Sequence, residues 1–280
     1  MAFSSDVFTL ERDGHVATLW LDRPEARNAM GSAFFADLPR AMAEVSGDDE
    51  VRAVVIAARG PHFSVGLDLK EMGGLLASPG SEGDSAGGST PAARNTRTLA
   101  SVRRLQQSIS SVADCPKPVI VGVHGYVIGG AIDLITACDI RLAAADAQLS
   151  VRETKVAIVA DLGTLQRLPR IVSPGHLAEL VYTGKDIDAG RAREIGLVND
   201  VHPNHEATVK AARELAGEIA ANSPLVVQGV KEVLRAGADL TVAQGLEHVA
   251  VWNSAFLQSA DLMEAMTAFL EKRDPRFRGE

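Results

Sequence analysis

The reading turns on the stretch Lys117-Pro-Val-Ile-Val-Gly-Val-His-Gly-Tyr-Val-Ile-Gly-Gly-Ala-Ile-Asp133-Leu134. Residues 119–123 are a β-branched apolar run entered through Pro118, which predicts a short buried strand. Gly125, Gly129 and Gly130 then lead into the apolar run 131–138, which predicts a helix. A glycine-rich turn running straight into a helix lets backbone approach a ligand and points free N–H groups at an anion. A tight turn with no ligand explains the same glycines, and on this motif alone the two readings stand level. The turn lacks GxGxxG and a P-loop lysine, so dinucleotide and ATP binding are disfavoured. The anion would then be of another kind, such as a developing oxyanion.

Working outward, strands and helices alternate. Residues 7–12 and 15–21 are β-rich and split by Asp13-Gly14, a hairpin signal. Residues 32–45 carry Phe35, Leu38, Met42 and Val45 at helical spacing. Residues 51–58 and 139–144 read as further strands. Strands separated by helices imply crossover connections and a buried, partly parallel sheet, an α/β architecture. From residue 73 to 93 the chain is rich in Gly, Ser and Pro and predicts a mobile loop, either a surface insertion or a lid. After Asp161 the pattern turns helical, over residues 205–221, from Ser223-Pro224, over 241–259 and over 261–272. The division that follows is an α/β core over residues 1–200 and a helical region over 201–280.

Composition narrows the function classes. Hydrophobic residues make up 46% and charged residues 23% of the 280, ordinary values for a globular protein. With 28 basic and 36 acidic residues the formal charge is −8, and no basic patch stands out, so no nucleic-acid partner is expected. The longest apolar run, 119–132, contains His124 and four glycines and is too short to span a bilayer, so no membrane partner is expected. Two cysteines, Cys115 and Cys138, cannot build a disulfide framework and fit a reducing compartment as small buried hydrophobes. No signal peptide and no peroxisomal C-terminus is visible, and a cytoplasmic location is expected.

Three carboxylates stand out by context. Asp133 lies in an apolar helix start, where it also suits the helix dipole. Glu153 and Asp161 bracket the mostly apolar residues 155–160, and each alone reads more readily as a surface residue or cap. A second glycine-containing turn, Phe63-Ser-Val-Gly66-Leu67-Asp68-Leu69-Lys70, offers another exposed amide at Leu67. Two amides from separate loops make an oxyanion hole, suited to an ester or thioester carbonyl gaining charge. Asp68 alone reads as a helix N-cap, and His124 in its strand reads as a core residue. The seven histidines are scattered, and no metal-ligand spacing is present.

Together the segments resemble the enoyl-CoA hydratase/isomerase (crotonase) family over residues 11–273. The resemblance rests on Leu21-Asp-Arg-Pro-Glu-Ala-Arg-Asn28-Ala-Met, on residues 63–70 and 117–125, and on Gly129-Gly130-Ala-Ile-Asp133-Leu. Ala137-Cys-Asp-Ile-Arg141, Gly163-Thr-Leu-Gln-Arg167-Leu and Phe269-Leu-Glu-Lys-Arg273 extend it. It implies a spiral of ββα units with a helical C-terminal trimerisation region, and a homo-trimer or hexamer. It implies an oxyanion hole at the Leu67 and Gly130 amides, and contacts with an acyl-CoA substrate at Arg27, Val65, Gly66, Leu67, Asp68, Leu69 and Gly130. It implies no metal and no cofactor, CoA being part of the substrate.

Within the family the segments resemble the branch of Δ3,5-Δ2,4-dienoyl-CoA isomerases of fatty-acid β-oxidation. That likeness places catalytic acids at Asp133, Glu153 and Asp161, where hydratases carry Glu, Glu and Gly. The implied chemistry is a 1,5-proton shift, with 2-enoyl-CoA hydration and non-catalytic acyl-CoA binding as the alternatives. Ala131, in place of a third glycine, and Thr154-Lys155 depart from the isomerase pattern.

Overall fold

The computed structural model describes residues 3–71 and 90–280. Asp13-Gly14 turns the chain as its sequence requires, with Gly14 at φ +55°. It joins β1 (Phe8–Asp13) to β2 (Val16–Leu21) as an antiparallel hairpin with Phe8 opposite Leu21. Helix α1 (Ser32–Gly47) buries Phe34, Phe35, Leu38, Met42 and Val45. Strand β3 (Ala53–Ala58) follows, parallel to β2, and every one of its residues is buried.

From β3 onward the chain winds in repeated turns. Each turn lays one strand in a large sheet, touches a second, smaller sheet and leaves through a helix. The first turn is β3, a single bridge at Ser64 to Val127, and α2 (Pro91–Ala113). The second is β4 (Val119–Val123), β5 (Tyr126–Ile128) and α3 (Gly130–Thr136). The third is β6 (Ile140–Ala144), β7 (Gln148–Ser150) and a short 3₁₀ turn, Glu153–Val156. After it come α4 (Thr164–Arg167), α5 (Pro174–Thr183), β8 (Ile187–Asp188), α6 (Ala189–Glu194) and β9 (Asp200–His202). The large sheet runs β1-β2-β3-β4-β6-β9, parallel from β2 onward, and the small one β5-β7-β8.

Both faces of the large sheet are covered, as a parallel sheet requires. Ala53, Val55, Ile120 and Leu142 point to one side and meet Ala212, Ala216 and Ala220 of α7 (His205–Ala220). Alanines four residues apart let that helix lie close on the strands. Val54, Ile56, Val119 and Val121 point to the other side, into the main core with α1. Cys115 and Cys138 are buried and unpaired, and burial pushes the Cys138 thiol up to about 12.

Two differences from the sequence reading have physical causes. Residues 91–93, expected in the loop, open α2, because Thr90 caps it by accepting from the Ala93 amide and Pro91 sits at its first position. The rest of that loop, 73–89, lies outside the described residues. The stretch after Asp161 contains β8 and β9, too short for a period to show, and β9 gains its partner only through β6. Finally come α8 (Pro224–Gly237), α9 (Val242–Phe256) and α10 (Ala260–Glu271). The C-terminal tail is tied back, with the Arg278 and Gly279 amides on Asp261 and Arg52 Nη2 donating to the Phe277 carbonyl at 2.8 Å.

Candidate active site

The two glycine-containing turns belong to successive turns of the spiral, and the bridge from Ser64 to Val127 clamps one on the other. The Ser64 amide donates to Tyr126 O at 3.0 Å and the Ile128 amide to Ser64 O at 3.1 Å. Behind the bridge, buried Asn28 joins three segments. Its Oδ1 accepts from the Arg23 amide at 2.8 Å, and its Nδ2 donates to the carbonyls of Arg59 and His62 at 3.0 and 2.9 Å. Asn28 sits at φ +53°, a left-handed conformation that asparagine tolerates. Ser64 Oγ donates to Asn28 O at 2.7 Å and accepts from the Gly66 amide at 3.1 Å.

Around Leu67 the hydrogen bonds skip a residue. The Met30 amide donates to Gly66 O and the Asp68 amide to Met30 O, at 2.8 and 3.0 Å, which leaves the Leu67 N–H with no acceptor among the described residues. Gly130 opens α3, so its N–H is one of those a helix leaves over. The two lie together: a Cβ on Gly66 would stand 3.2 Å from Gly130 N and only 2.5 Å from Ile128 O. With φ at +82° as well, position 66 admits glycine alone.

Three carboxyls gather beside these amides. Asp133, in the first turn of α3, is 1% exposed, and its Oδ1 accepts from the Thr164 amide at 2.6 Å. Burial pushes it up to about 6 against that hydrogen bonding, with the charge of Asp161 adding and that of Arg167 opposing. Glu153 begins the 3₁₀ turn and lies against the amide turn, its Oε1 3.4 Å from where a Cβ on Gly129 would stand. Its Oε2 is buried with no hydrogen-bond partner among the described residues. Burial first, and then the charge of Asp133, push Glu153 up to about 7. Asp161 is more open, and its carboxyl is raised by the apolar surroundings against its own backbone amide. Gln106 of α2 holds its carbonyl at 2.7 Å. Carboxyls raised toward neutrality both take and release protons near pH 7. Interacting as Asp133 and Glu153 do, they titrate as a pair.

The remaining expected residues take varied places. Val65 and Leu69 flank Leu67 on its loop, Val65 half-buried and Leu69 exposed. Arg27 is exposed at φ +52°, and its carbonyl accepts from the Val65 amide at 3.3 Å. The Asp68 carboxylate closes its turn, with Oδ1 accepting from the amides of Lys70 and Glu71, and pairs with Arg23 at 3.6 Å. Thr154 and Lys155, which break the isomerase pattern, face away: Thr154 bonds the Val181 carbonyl and the Lys155 stem covers Gly184. His124 is buried, stacked on His205 at 3.6 Å and pushed down to about 4 by burial. Sequence reasoning missed Asn28, Ser64, Gln106, Thr164 and Arg167. All of these but Gln106 stand in the quoted motifs, but nothing in their spacing shows a partner more than thirty residues away.

The sequence profile described as enoyl-CoA hydratase/isomerase matches residues 11–280. The chain belongs to this family, and its spiral of ββα units is the crotonase fold. It is 43% identical over 263 residues to the Δ3,5-Δ2,4-dienoyl-CoA isomerase of Dictyostelium discoideum, named mitochondrial, covering 94% of this chain and 87% of that one. It is 38% identical over 272 residues to the peroxisomal enzyme of that name from Arabidopsis thaliana, covering 97% and 96%. Among solved structures, a putative enoyl-CoA hydratase from Streptomyces coelicolor superposes with a TM-score of 0.88 at 30% identity, covering 100% of this chain and 97% of that one. The enoyl-CoA hydratase of Bacillus anthracis does so at 0.86 and 31%, covering 98% and 100%. The cytoplasmic expectation is corrected by these relatives, whose names place them in mitochondria or peroxisomes. Free buried cysteines report a reducing interior and do not separate one such compartment from another.

Proposed function

We propose that the protein isomerises 3,5-dienoyl-CoA to 2,4-dienoyl-CoA in fatty-acid degradation. The observation that carries this reading is Asp161, a third carboxyl raised by its surroundings and grouped with Asp133 and Glu153 beside two free amides. Hydration needs only two acids to hold a water, whereas a 1,5-proton shift needs a second proton-transfer group farther along the acyl chain. Relatives 38–43% identical are named for this isomerisation.

In the proposed reaction Glu153 takes the proton from C2. The electron pair spreads over the dienolate to the thioester oxygen, which the N–H groups of Leu67 and Gly130 stabilise. Asp161 gives a proton to C6, which shifts both double bonds into conjugation with the thioester carbonyl. Glu153 ends protonated and Asp161 ionised, and exchange with solvent resets them. Asp133 keeps its neighbours' affinity for protons high by its charge. One oxyanion-hole donor is worth about 10²–10³ in rate, so the backbone contributes on the scale of the acids. The step needs no electron acceptor and no metal, because the amides take up the charge. Arg27 and residues 65–69 would hold the CoA moiety. The assembly we propose is a trimer, alone or paired, joined through the helical C-terminal region beyond residue 200.

Offering purified protein 3,5-dienoyl-CoA and 2-enoyl-CoA side by side tests the reading. The expected result is the new absorbance of a conjugated 2,4-dienoyl thioester. Loss of enoyl absorbance with no dienoyl isomerisation would establish the hydratase instead. Binding of both thioesters with no spectral change would leave an acyl-CoA-binding protein.

A further inference from the structure

Arg167 ends α4, three residues after the Thr164 amide that bonds Asp133. Its guanidinium is tethered at two points. Nη2 donates to Ser110 Oγ of α2 at 2.8 Å, and Nη1 donates to the Leu162 carbonyl at 3.3 Å. It also lies over Gly163: a Cβ there would stand 1.8 Å from Nη1, and Gly163 sits at φ +127°. The turn that aims the Thr164 amide at Asp133 is therefore shaped around the guanidinium.

Among the described residues no carboxylate forms an ion pair with Arg167. A half-buried arginine is costly to desolvate, and it usually meets a carboxylate directly. Here its charge is answered at longer range by Asp133 and by Asp114 at the end of α2, with the Cys138 thiol also facing it. Asp133 in turn faces Glu153 from the 3₁₀ turn, Asp161 from the following loop and Arg167 from α4. Arg167 is the cation of this group. A cation beside one member of an acid pair favours ionisation of that member, and the resulting charge makes the other hold its proton more tightly.

We propose that Arg167 is a positioning residue, a fixed cation beside Asp133 that keeps Asp133 ionised, so that the charge of Asp133 strengthens Glu153 as the base that takes the C2 proton. For turnover this rests on the isomerase reading, in which Glu153 is the base at C2. For the titration of the site it stands by itself.

The test compares Arg167→Gln, which removes the charge, with Arg167→Lys, which keeps it but loses the fork. The first readout is an infrared titration of the protonated carboxyl bands in the free protein, with Asp133→Asn and Glu153→Gln assigning them. The second is the pH profile of kcat/KM for 3,5-dienoyl-CoA. In Arg167→Gln the ionisation of Asp133 moves up by about one pH unit, the ordinary spread that surroundings impose on a carboxyl, and the acid limb of the profile, which reports the base Glu153, moves the other way, to lower pH. Arg167→Lys keeps the wild-type titration while kcat falls several-fold. A purely structural role would lower activity in both variants and move neither titration. Folded Arg167→Gln with wild-type titration overturns the inference, as does a Lys variant shifted as far as the Gln variant. If Arg167→Gln does not fold, Ser110→Ala frees the guanidinium from α2, and a smaller shift in the same direction is expected; no shift overturns the proposal. Turnover of dienoyl-CoA with an unmoved titration defeats this inference alone. An Arg167-dependent titration in a protein that does not isomerise dienoyl-CoA defeats the functional reading alone.

Discussion

The spiral and the C-terminal helices solve the burial problem in opposite ways. Within the spiral, β3 and β4 are wholly buried, and the sheet is covered on both faces by the chain's own helices. In α8, α9 and α10 large apolar side chains point outward: Leu234 is 71% exposed, Val242 82%, Phe269 82% and Leu270 79%. Trp252 fills the crossing of α8 and α9 by lying on Gly229, yet an apolar groove of about 1060 Å³ remains there, lined in part by Val230, Leu234 and Phe256. The spiral is complete as one chain, whereas the helical region has the surface of something made to be covered. The carboxyls and the free amides all belong to the spiral, so the chemistry and the proposed assembly are separable.

The largest effect should come from breaking the helical side. Phe269→Asp with Leu270→Asp places charge in the outward face, and light scattering should then report the mass of a single chain where the parent shows three or six. A parent that is already one chain at micromolar protein would end the assembly proposal. On the other side, Asp161→Asn should lower dienoyl isomerisation by at least about 10², the low end of a general acid or base contribution. Acyl-CoA affinity should hold, because the thioester contacts lie at Leu67 and Gly130. Full activity in that variant would show that Asp161 moves no proton.

A smaller effect is set by pH. Glu153 is raised from 4.5 to about 7 on folding. A carboxyl raised in this way favours the fold while protonated, a contribution complete below pH 4.5 and lost as pH rises through about 7. Glu153→Gln removes the loss: equal to the parent near pH 4, the variant should be the more stable at pH 8, by on the order of 2 kcal/mol. Equal stability at both ends would mean the carboxyl is not strained. Smallest of all, Val242→Ser on the exposed face of α9 should change single-chain stability by less than about 0.5 kcal/mol. A larger loss in chemical denaturation would show that this face packs within its own chain.

What was legible in the sequence follows the same division. Strand β4 was read to its ends, since Pro118 marks its entry and a β-branched run cannot hide. The helices from residue 205 onward were read with starts within a residue of those observed, where Asn204, Ser223, Thr241 and Ser259 cap them, though the one read over 241–259 ends at Phe256. Strands β5, β7 and β8 span only two or three residues, and their pairing is a property of the spiral rather than of any local pattern. Helix α2 buries few apolar residues, Ile109 and Val112 among them, so its face carried little periodic signal. The three acids were picked out by context and resemblance, but not their supports. Thr164 reaches Asp133 across 31 residues and Gln106 reaches Asp161 across 55, and a contact made by winding leaves no spacing to read.

The skipped hydrogen bond at Leu67 has a consequence for isotope exchange. Around it the amides of Met30, Asp68, Gly129 and Ile132 are all engaged with carbonyls of the chain, at 2.7–3.0 Å. A deuterium atom enters those positions only when a bond opens, whereas Leu67 and Gly130 have none to open among the described residues and wait only for water. They should stand out as two fast amides in an otherwise slow neighbourhood. A thioester oxygen seated between them would slow both together, which turns their exchange into a direct count of occupied sites without any chemistry being run.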